Sequence, residues 1–240
     1  MKNYKKNLKT LKLAKKNIPG INMLLSKNPN YILPDHWPTY YSRAKYNNVW
    51  DLDGNKYLDM FFGVGTNTLG YANSYIDNEV IQCIKNSNMS SLNCMEEVEL
   101  SERLIKMHPW SGGVKFARTG GEANAISIRI ARAFTGKDKI AVCGYHGWHD
   151  WYLANNISNQ KNLDKHLIKG INANGVPRKL KDTVFTFNYN DFDSLIKITK
   201  NNDLAAIKME VERNFRPNND FLHKIRKLCD QKKILLIFDE

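Results

Sequence analysis

The sequence lacks the features that would indicate a metal centre, a disulfide framework or a membrane span. Its four cysteines, Cys83, Cys94, Cys143 and Cys229, lie far apart without a C-x-x-C pair, so neither a zinc site nor disulfides are predicted. No stretch is long and apolar enough for a signal peptide or a transmembrane helix. We therefore expect a soluble protein without a membrane partner, in a reducing compartment, the cytoplasm.

Nucleotide and nucleic-acid sites are not indicated either. The glycine-rich stretch at residues 63–70 has neither the dinucleotide-binding spacing nor the Lys-Ser/Thr of a P-loop. The 36 Lys and Arg residues against 24 Asp and Glu give a net charge of +12, which would attract a polyanion or an acidic small molecule. The lysines are scattered, however, and no basic stripe interleaved with aromatic residues occurs, so no nucleic-acid partner is predicted.

The first part of the chain predicts a helix and a hairpin. The basic run from Lys2 to Lys16 has apolar residues near helical spacing and is ended by Pro19, which is typical of a solvated amphipathic helix. Residues 48–59 alternate apolar and polar on both sides of Asp53 and Gly54, which indicates a β-hairpin. We expect residues 1–70 to belong to a small domain and residues 71–240 to a large one.

From residue 74 the pattern indicates helices and then buried strands. Helical patterns begin at Ser74 and end before Pro109. Further on, apolar runs alternate with helical patterns; the runs lie at residues 113–118, 139–143, 183–187, 204–209 and 233–238. Strands that alternate with helices predict an α/β fold with a mostly parallel sheet covered by helices on both faces.

The stretch from Asp150 to Asp182 interrupts this alternation. It is long, polar and rich in Asn and Gly, and loops of such length are usually functional or mobile. It is either a lid over a site or a plain surface insertion.

Ligands of open α/β sheets bind beyond the carboxyl ends of the strands, so the residues after each apolar run are candidates. The first run is followed by Thr119, Gly120 and Gly121, with a helix predicted to begin at about Glu122. Exposed backbone N–H groups at a helix start form an anion site that suits a phosphate. A glycine turn that only permits tight packing explains the same residues.

The second run is followed by residues 144–150, which contain Tyr145, His146, Trp148 and His149. So many rings in a short loop favour the stacking of a flat ligand. The two histidines could instead bind a metal ion, but their i, i+3 spacing has no convincing third ligand.

The last run leads directly into Asp239 and Glu240, which places a carboxylate pair at the ligand edge. A buried Asp there needs a positive partner. An anion site, an aromatic platform and a strand-end carboxylate are together what pyridoxal 5'-phosphate requires: donors for its phosphate, a stacking partner for its ring and a carboxylate for its pyridine nitrogen.

The chain resembles the N-terminal part of class III pyridoxal-phosphate aminotransferases, particularly the glutamate-1-semialdehyde 2,1-aminomutase-like group. The matching segments are Trp50–Gly54 with Tyr57–Asp59, Leu69–Gly70, Glu97–Leu100, Thr119–Ala123 with Ala131–Arg132 and Thr135–Gly136, Tyr145–Gly147 with Asp150, Met209–Glu210, and Leu236–Glu240. The resemblance implies a PLP-dependent transferase fold of type I, present as an incomplete large domain, and a homodimer.

The resemblance also implies roles for single residues. Gly120 and Gly121 would hold the cofactor phosphate, and Asp239 would pair with the pyridine nitrogen. Tyr145 would stack on the ring with His146 beside it, and Glu210 would lie at the cofactor edge. The substrates would be a small-molecule amino donor and acceptor: an amino acid, a keto acid, or an amino or keto sugar.

The resemblance leaves the reaction and the catalytic lysine open. Val211 stands where the family usually has Pro, and Trp148 where aminomutases tend to have His, so an aminotransferase and an aminomutase are both consistent with the sequence. The family's Schiff-base lysine follows the Asp-Glu pair, and no Lys before Glu240 matches it, so this chain alone is expected to be inactive. The alternative is a non-catalytic remnant, or a cofactor-binding or interaction module completed by another chain.

Overall fold

A computed structural model describes residues 3–24, 27–33, 36–87, 89–166, 169–212 and 214–240. They divide into two compact units, residues 1–102 and residues 103–240. The boundary expected at residue 70 stays a prediction.

The first unit contains a small antiparallel sheet and several helices. Its elements are α1 (Lys5–Asn17), β1 (Tyr41–Lys45), β2 (Asn48–Asp51), β3 (Lys56–Leu58), the short turn α2 (Phe62–Gly65), α3 (Ser74–Lys85) and the start of α4 (Met95–Met107). The sheet order is β1-β2-β3, and β2 pairs antiparallel with β3. The predicted first helix and hairpin are therefore confirmed.

Two aspartates organise the hairpin turn. Asp51 is buried, and its carboxylate accepts hydrogen bonds from the backbone N–H groups of Asp53 and Asn55. Asp53 in turn accepts the N–H groups of Lys6 and Asn7 at 2.9 Å, in the first turn of α1. The turn is thus tied to a helix start that has no side-chain cap of its own.

The second unit is a parallel α/β structure. Its elements are α5 (Gly120–Thr135), β4 (Lys139–Cys143), α6 (Asp150–Leu153), β5 (Val184–Thr186), α7 (Phe192–Asn201), β6 (Leu204–Met209), α8 (Phe221–Lys232) and β7 (Leu235–Phe238). The sheet order is β5-β4-β6-β7, and every neighbouring pair is parallel. The predicted fold class and four of the five predicted strands are confirmed.

Apolar clusters cover both faces of this sheet. On one face, Leu195 of α7 and Ile225 of α8 pack with Ile207 of β6. On the other face, Ile128 of α5 and Trp151 of α6 pack with residues of β4 and β6. All six residues of β6 are buried, as expected for a central strand of a doubly covered parallel sheet.

The strand predicted at residues 113–118 is wrong. These residues form no strand, and in the described part of the chain they join no β-ladder. Phe116 is 39% exposed, and the Arg118 N–H donates to the Glu122 carboxylate instead of to a strand. An apolar run becomes a strand only where a neighbouring strand accepts its backbone hydrogen bonds.

The stretch after Asp150 is not a plain surface insertion over its first part. Trp151, Tyr152 and Leu163 are buried in the cluster that includes α5. Asn155 and Asn156 are buried as well, and their amide groups donate to backbone carbonyls at 2.9 and 2.7 Å. Asn155 thus binds the Val184 carbonyl at the start of β5, and Asn156 binds the Ile171 carbonyl in irregular backbone.

The lengths of the helices bear on a membrane-spanning role. The helix α5 has 16 residues, and within the described ranges no helix is both long and apolar enough to cross a bilayer.

Replacing Ile207 tests the core. Ile207→Ala removes a side chain that is 0% exposed at the centre of the sheet. We expect the free energy of unfolding to fall by about 2 to 5 kcal/mol, because a cavity is added to the lost burial. Urea unfolding measures the loss. The control Ile130→Ala, at a side chain 55% exposed on α5, should cost far less; equal losses would contradict this assignment of the core.

Candidate functional site

The site lies at the carboxyl edge of the parallel sheet. The strands β4, β6 and β7 end there and continue into the turn of residues 144–149, into Glu210 and into Asp239. Because parallel strands point the same way, these three continuations meet at one edge. The Asp239 N–H donates to the Met209 carbonyl at 3.0 Å, which extends the pairing of β7 with β6 up to the site.

Asp239 is the centre of a side-chain cluster. Its Oδ2 atom accepts hydrogen bonds from His146 Nδ1 at 2.7 Å and from Asn124 Nδ2 at 2.9 Å, and it lies 3.9 Å from Lys208 Nζ. Burial disfavours the ionised form, but the His146 hydrogen bond and the Lys208 charge outweigh it and hold the pKa of Asp239 below its ordinary value. The carboxylate is therefore negatively charged near neutral pH, and the predicted positive partner of this Asp is present.

His146 lies inside the protein with both ring nitrogens occupied. Its side chain is 0% exposed, and Nε2 lies 2.9 Å from the Cys143 carbonyl oxygen. The Cys143 carbonyl oxygen and the ionised Asp239 carboxylate thus lie on the two sides of the ring, and both are hydrogen-bond acceptors. His146 thus contacts the Asp239 carboxylate, and its predicted place beside the cofactor ring stays a prediction.

Asn124 connects the start of α5 to this cluster. Its Nδ2 donates to Asp239 and, at 3.3 Å, to the His146 carbonyl. Asn124 lies in the second turn of α5, so its amide holds the helix start close to the strand-end carboxylate.

Side chains cap the start of α5, which begins at Gly120, two residues before the predicted start at about Glu122. The Thr119 side chain accepts the Glu122 N–H, and the Glu122 carboxylate accepts the Thr119 N–H, which together form a capping box. A Cβ atom at Gly120 would meet nothing within 4 Å, so open space lies beside this residue. The helix start therefore leaves room for an anion there.

Gly121 and Gly147 allow the loop after β4 to approach α5 closely. A Cβ atom at Gly147 would lie 3.2 Å from the Cα atom of Gly121, and one at Gly121 would lie 2.9 Å from Nε2 of His149. Gly147 also has a φ of +92°, which disfavours other residues. Tight packing, the simpler explanation of the glycines, therefore applies to Gly121, while Gly120 faces open space.

Glu210 lies beside the end of β4. Its Oε2 atom would be 3.0 Å from a Cβ atom at Gly144, which has a φ of +104°. Burial, together with the nearby Glu210 charge, raises the pKa of the Cys143 thiol to about 12, so that thiol stays protonated. Glu210 thus lies at the carboxyl edge of the sheet, and its predicted place at the cofactor edge stays a prediction.

The other aromatic residues of the loop differ in their surroundings. Tyr145 is half-buried and packs edge-on against Tyr152, with ring centroids 6.2 Å apart. Trp148 is 62% exposed and lies beside His149. The stacking role of Tyr145 stays a prediction, and among the described residues no group of three metal-binding side chains includes His146 or His149.

The two carboxylates that follow β7 have different partners. Asp239 faces His146 and Lys208, whereas Glu240 accepts the Val211 N–H at 2.7 Å. The Val211 carbonyl accepts a hydrogen bond from the Tyr189 hydroxyl. A proline in place of Val211 would have no N–H for Glu240.

Sequence reasoning missed Asn124 and Lys208. Lys208 lies within an apolar strand pattern, and Asn124 within a helical one, so neither stands out locally. The one available signal was the charge of Lys208 inside a run predicted to be buried, since a buried Lys requires a partner.

A parallel sheet with a helix start and an ionised aspartate at its carboxyl edge suits an α/β protein that binds an anionic cofactor. The profile of the family described as "Aminotransferase class-III" matches residues 33–240. The chain belongs to this family, which confirms the resemblance found in the sequence.

Similar proteins include aminotransferases and aminomutases. The chain is 35% identical over 239 residues to a 3-aminobutyryl-CoA aminotransferase of Cloacimonas acidaminovorans, covering 95% of this chain and 53% of that protein. It is 32% identical over 209 residues to a glutamate-1-semialdehyde 2,1-aminomutase of Archaeoglobus fulgidus, covering 85% of this chain and 49% of that protein. The chain thus spans about half the length of these relatives.

Solved structures show the same fold. An omega-transaminase from Sphaerobacter thermophilus matches with a TM-score of 0.81 at 24% identity, over 96% of this chain and 54% of that one. A transaminase with PLP bound matches with a TM-score of 0.83 at 21% identity, over 98% and 55%. The chain therefore has the α/β fold of PLP-dependent transaminases, over about half of its extent.

Substituting Gly147 tests the close approach of the loop to α5. Gly147→Ala should lower the free energy of unfolding by about 1 to 2 kcal/mol for its positive φ, and by about 1 kcal/mol more for the contact with Gly121. The control Gly175→Ala has a φ of +87° and open space around its Cβ position, so it carries the first loss only. Thermal melts compare the two variants; equal losses would contradict the contact.

Removing the Asp239 charge should destabilise the fold in a pH-dependent way. Asp239→Asn leaves Lys208 buried without its carboxylate, for an expected loss of about 3 kcal/mol near neutral pH. The pKa of Asp239 in the folded state lies below its ordinary value of 3.8. The stability that its charge contributes is therefore complete above pH 3.8 and is lost as the pH falls through the folded-state pKa.

Urea unfolding from neutral pH to below pH 3.8 measures this effect. The difference between the wild type and Asp239→Asn should shrink with acidification. The control Asp230→Asn, at an exposed ion pair on α8, should have little effect at any pH. A difference for Asp239→Asn that is independent of pH would show that the carboxylate charge does not stabilise the fold.

Proposed function

We propose that this chain is the N-terminal portion of a cytoplasmic, pyridoxal 5'-phosphate-dependent enzyme that moves an amino group, either between two small molecules or within one. The observation that carries the proposal is the Asp239 carboxylate, which two hydrogen bonds and an ion pair hold at the sheet edge near the start of α5. Membership in the class III aminotransferases supports the same conclusion.

The residues at the sheet edge fit two parts of this cofactor, its phosphate and its pyridine nitrogen. Gly120, with its open surroundings at the capped start of α5, would hold the phosphate together with Gly121. Asp239 would face the pyridine nitrogen. When bound, pyridoxal phosphate supplies an electron sink for the carbon that carries the amino group.

Side chains of the protein itself already orient the Asp239 carboxylate. Its contacts with His146, Asn124 and Lys208 all involve Oδ2, whereas Oδ1 has no hydrogen bond or ion pair among the described residues. Its side chain is 27% exposed. Oδ1 would accept the N–H of a protonated ring nitrogen, and the hydrogen bonds to Oδ2 would keep the carboxylate oriented.

His146 and Asn124 would position this carboxylate through their contacts with Oδ2. Tyr145 would cover one face of the ring, and Glu210 would line the edge near Gly144. These assignments rest on the resemblance to the family and on the place of each residue at the sheet edge.

The substrates we propose are a small-molecule amino donor and acceptor, an amino acid, a keto acid, or an amino or keto sugar. Relatives named as a CoA-ester aminotransferase and as aminomutases support both variants of the reaction. We also propose a homodimer, because that is typical of the family.

The lysine that binds the cofactor covalently is proposed to lie outside residues 1–240. Borohydride reduction of the loaded protein, followed by peptide mapping, tests this. A modified lysine beyond Glu240, or in a partner chain, is the expected result. Modification of a lysine within residues 1–240 would contradict it.

Cofactor binding provides the direct test of the function. Absorbance titration with pyridoxal phosphate should show saturable binding, and Asp239→Ala should weaken it by about tenfold to hundredfold, the value of a hydrogen bond to a charged group. Asp230→Ala, on the exposed face of α8, is the matched control. Absence of binding, or equal affinity in all three proteins, would overturn the proposal.

A nitrogen-15-labelled amino substrate then distinguishes the two reactions. In an aminotransferase the label appears on a second molecule and the donor becomes a keto compound. In an aminomutase the label moves to the neighbouring carbon of the same molecule.

A further inference from the structure

Lys208 is a buried lysine in the middle of the sheet. It pairs in register with Val142 of β4 and Ile237 of β7, which both belong to the apolar cluster that includes α5. Its side chain is 2% exposed, and its Nζ atom lies 3.9 Å from Oδ2 of Asp239. Lysine side chains are rarely buried so completely unless they are paired with another group.

The position of Lys208 follows from strand geometry. Side chains alternate along a strand, so Ile237 and Asp239 lie on one face of β7. Lys208, which is opposite Ile237, lies on that same face, and its ammonium reaches the carboxylate that follows the strand. The burial of Lys208 lowers its pKa, and the charge of Asp239 opposes that shift.

Several polar and charged groups already surround the Asp239 carboxylate. One carboxylate faces the amide of Asn124, a His146 ring whose two nitrogens both face acceptor oxygens, and the Lys208 amine. A protonated pyridine nitrogen would be one more cation on the same carboxylate. In a partly buried site, like charges a few ångströms apart disfavour each other strongly.

We propose that Lys208 is a positioning residue that adjusts the cofactor: its ammonium shares Asp239 with the pyridine nitrogen and thereby lowers the fraction of bound cofactor whose ring nitrogen is protonated. This inference rests on the proposed function, because it concerns the cofactor proposed there. The bound cofactor would then be a weaker electron sink than it would be with an uncharged residue at position 208.

The first experiment examines the pair without the cofactor. Unfolding is compared for the wild type, Lys208→Met, Asp239→Asn and the double variant, since Met keeps the length of the buried stem without its charge. The Asp239→Asn substitution should lower the melting temperature less in the Lys208→Met background than in the wild type. Additive effects would show that the two charges do not interact, and would overturn the inference.

The second experiment measures the ring nitrogen itself. The holoprotein is loaded with pyridoxal phosphate labelled with nitrogen-15 in the ring, and solid-state NMR reports the protonated fraction. Lys208→Met should raise the protonation equilibrium constant by about tenfold or more, because a nearby unit charge is removed. The control Lys139→Met removes a lysine of the same sheet that binds Asn202 at 2.8 Å and does not contact Asp239; it should leave the constant unchanged.

The outcomes separate the two proposals. A wild-type protein that binds no pyridoxal phosphate would overturn the proposed function, whatever the unfolding data show. A wild-type protein that binds it normally, with the same protonated fraction in Lys208→Met, would overturn the role of Lys208 alone. A fraction raised equally by Lys139→Met would also overturn it, because the effect would then be a general loss of positive charge.

Discussion

The structure of the site depends on the compensation of one partly buried negative charge, the Asp239 carboxylate. Asp239 ends a strand whose neighbours are apolar, and an ionised carboxylate is costly there without partners. His146, Asn124 and Lys208 supply them, from the loop after β4, from α5 and from β6. A single carboxylate therefore links three separate parts of the second unit, and the start of α5 is held near the sheet edge as a consequence.

The parallel sheet makes this convergence possible. Parallel strands deliver their carboxyl ends to one edge, so residues far apart in the chain arrive together: Asn124 is 115 positions from Asp239, and His146 is 93. Helices on both faces exclude water from the strands, which strengthens the electrostatic interactions behind the carboxylate. The open side of Asp239 remains for a ligand, while the protein occupies the other side.

Family membership and site geometry are separate lines of support. The match to class III aminotransferases covers residues 33–240, and the transaminase structures share the fold at 24% identity or less. Neither comparison assigns a role to Asn124 or Lys208. Those residues enter through their contacts with Asp239, so the physical account of the site extends beyond what the family alone implies.

The sequence by itself determined the elements whose causes are local. The hairpin around Gly54, the helix α5 and the strands β4 to β7 follow from turn residues, helical periodicity and short apolar runs. Tertiary structure decided what depends on distant partners. Residues 113–118 have a strand-like pattern but no ladder, and Lys208 is recognisable as a partner of Asp239 only once β6 and β7 are paired. Hydrogen bonding and charge compensation across tens of residues leave no periodic signal in the sequence.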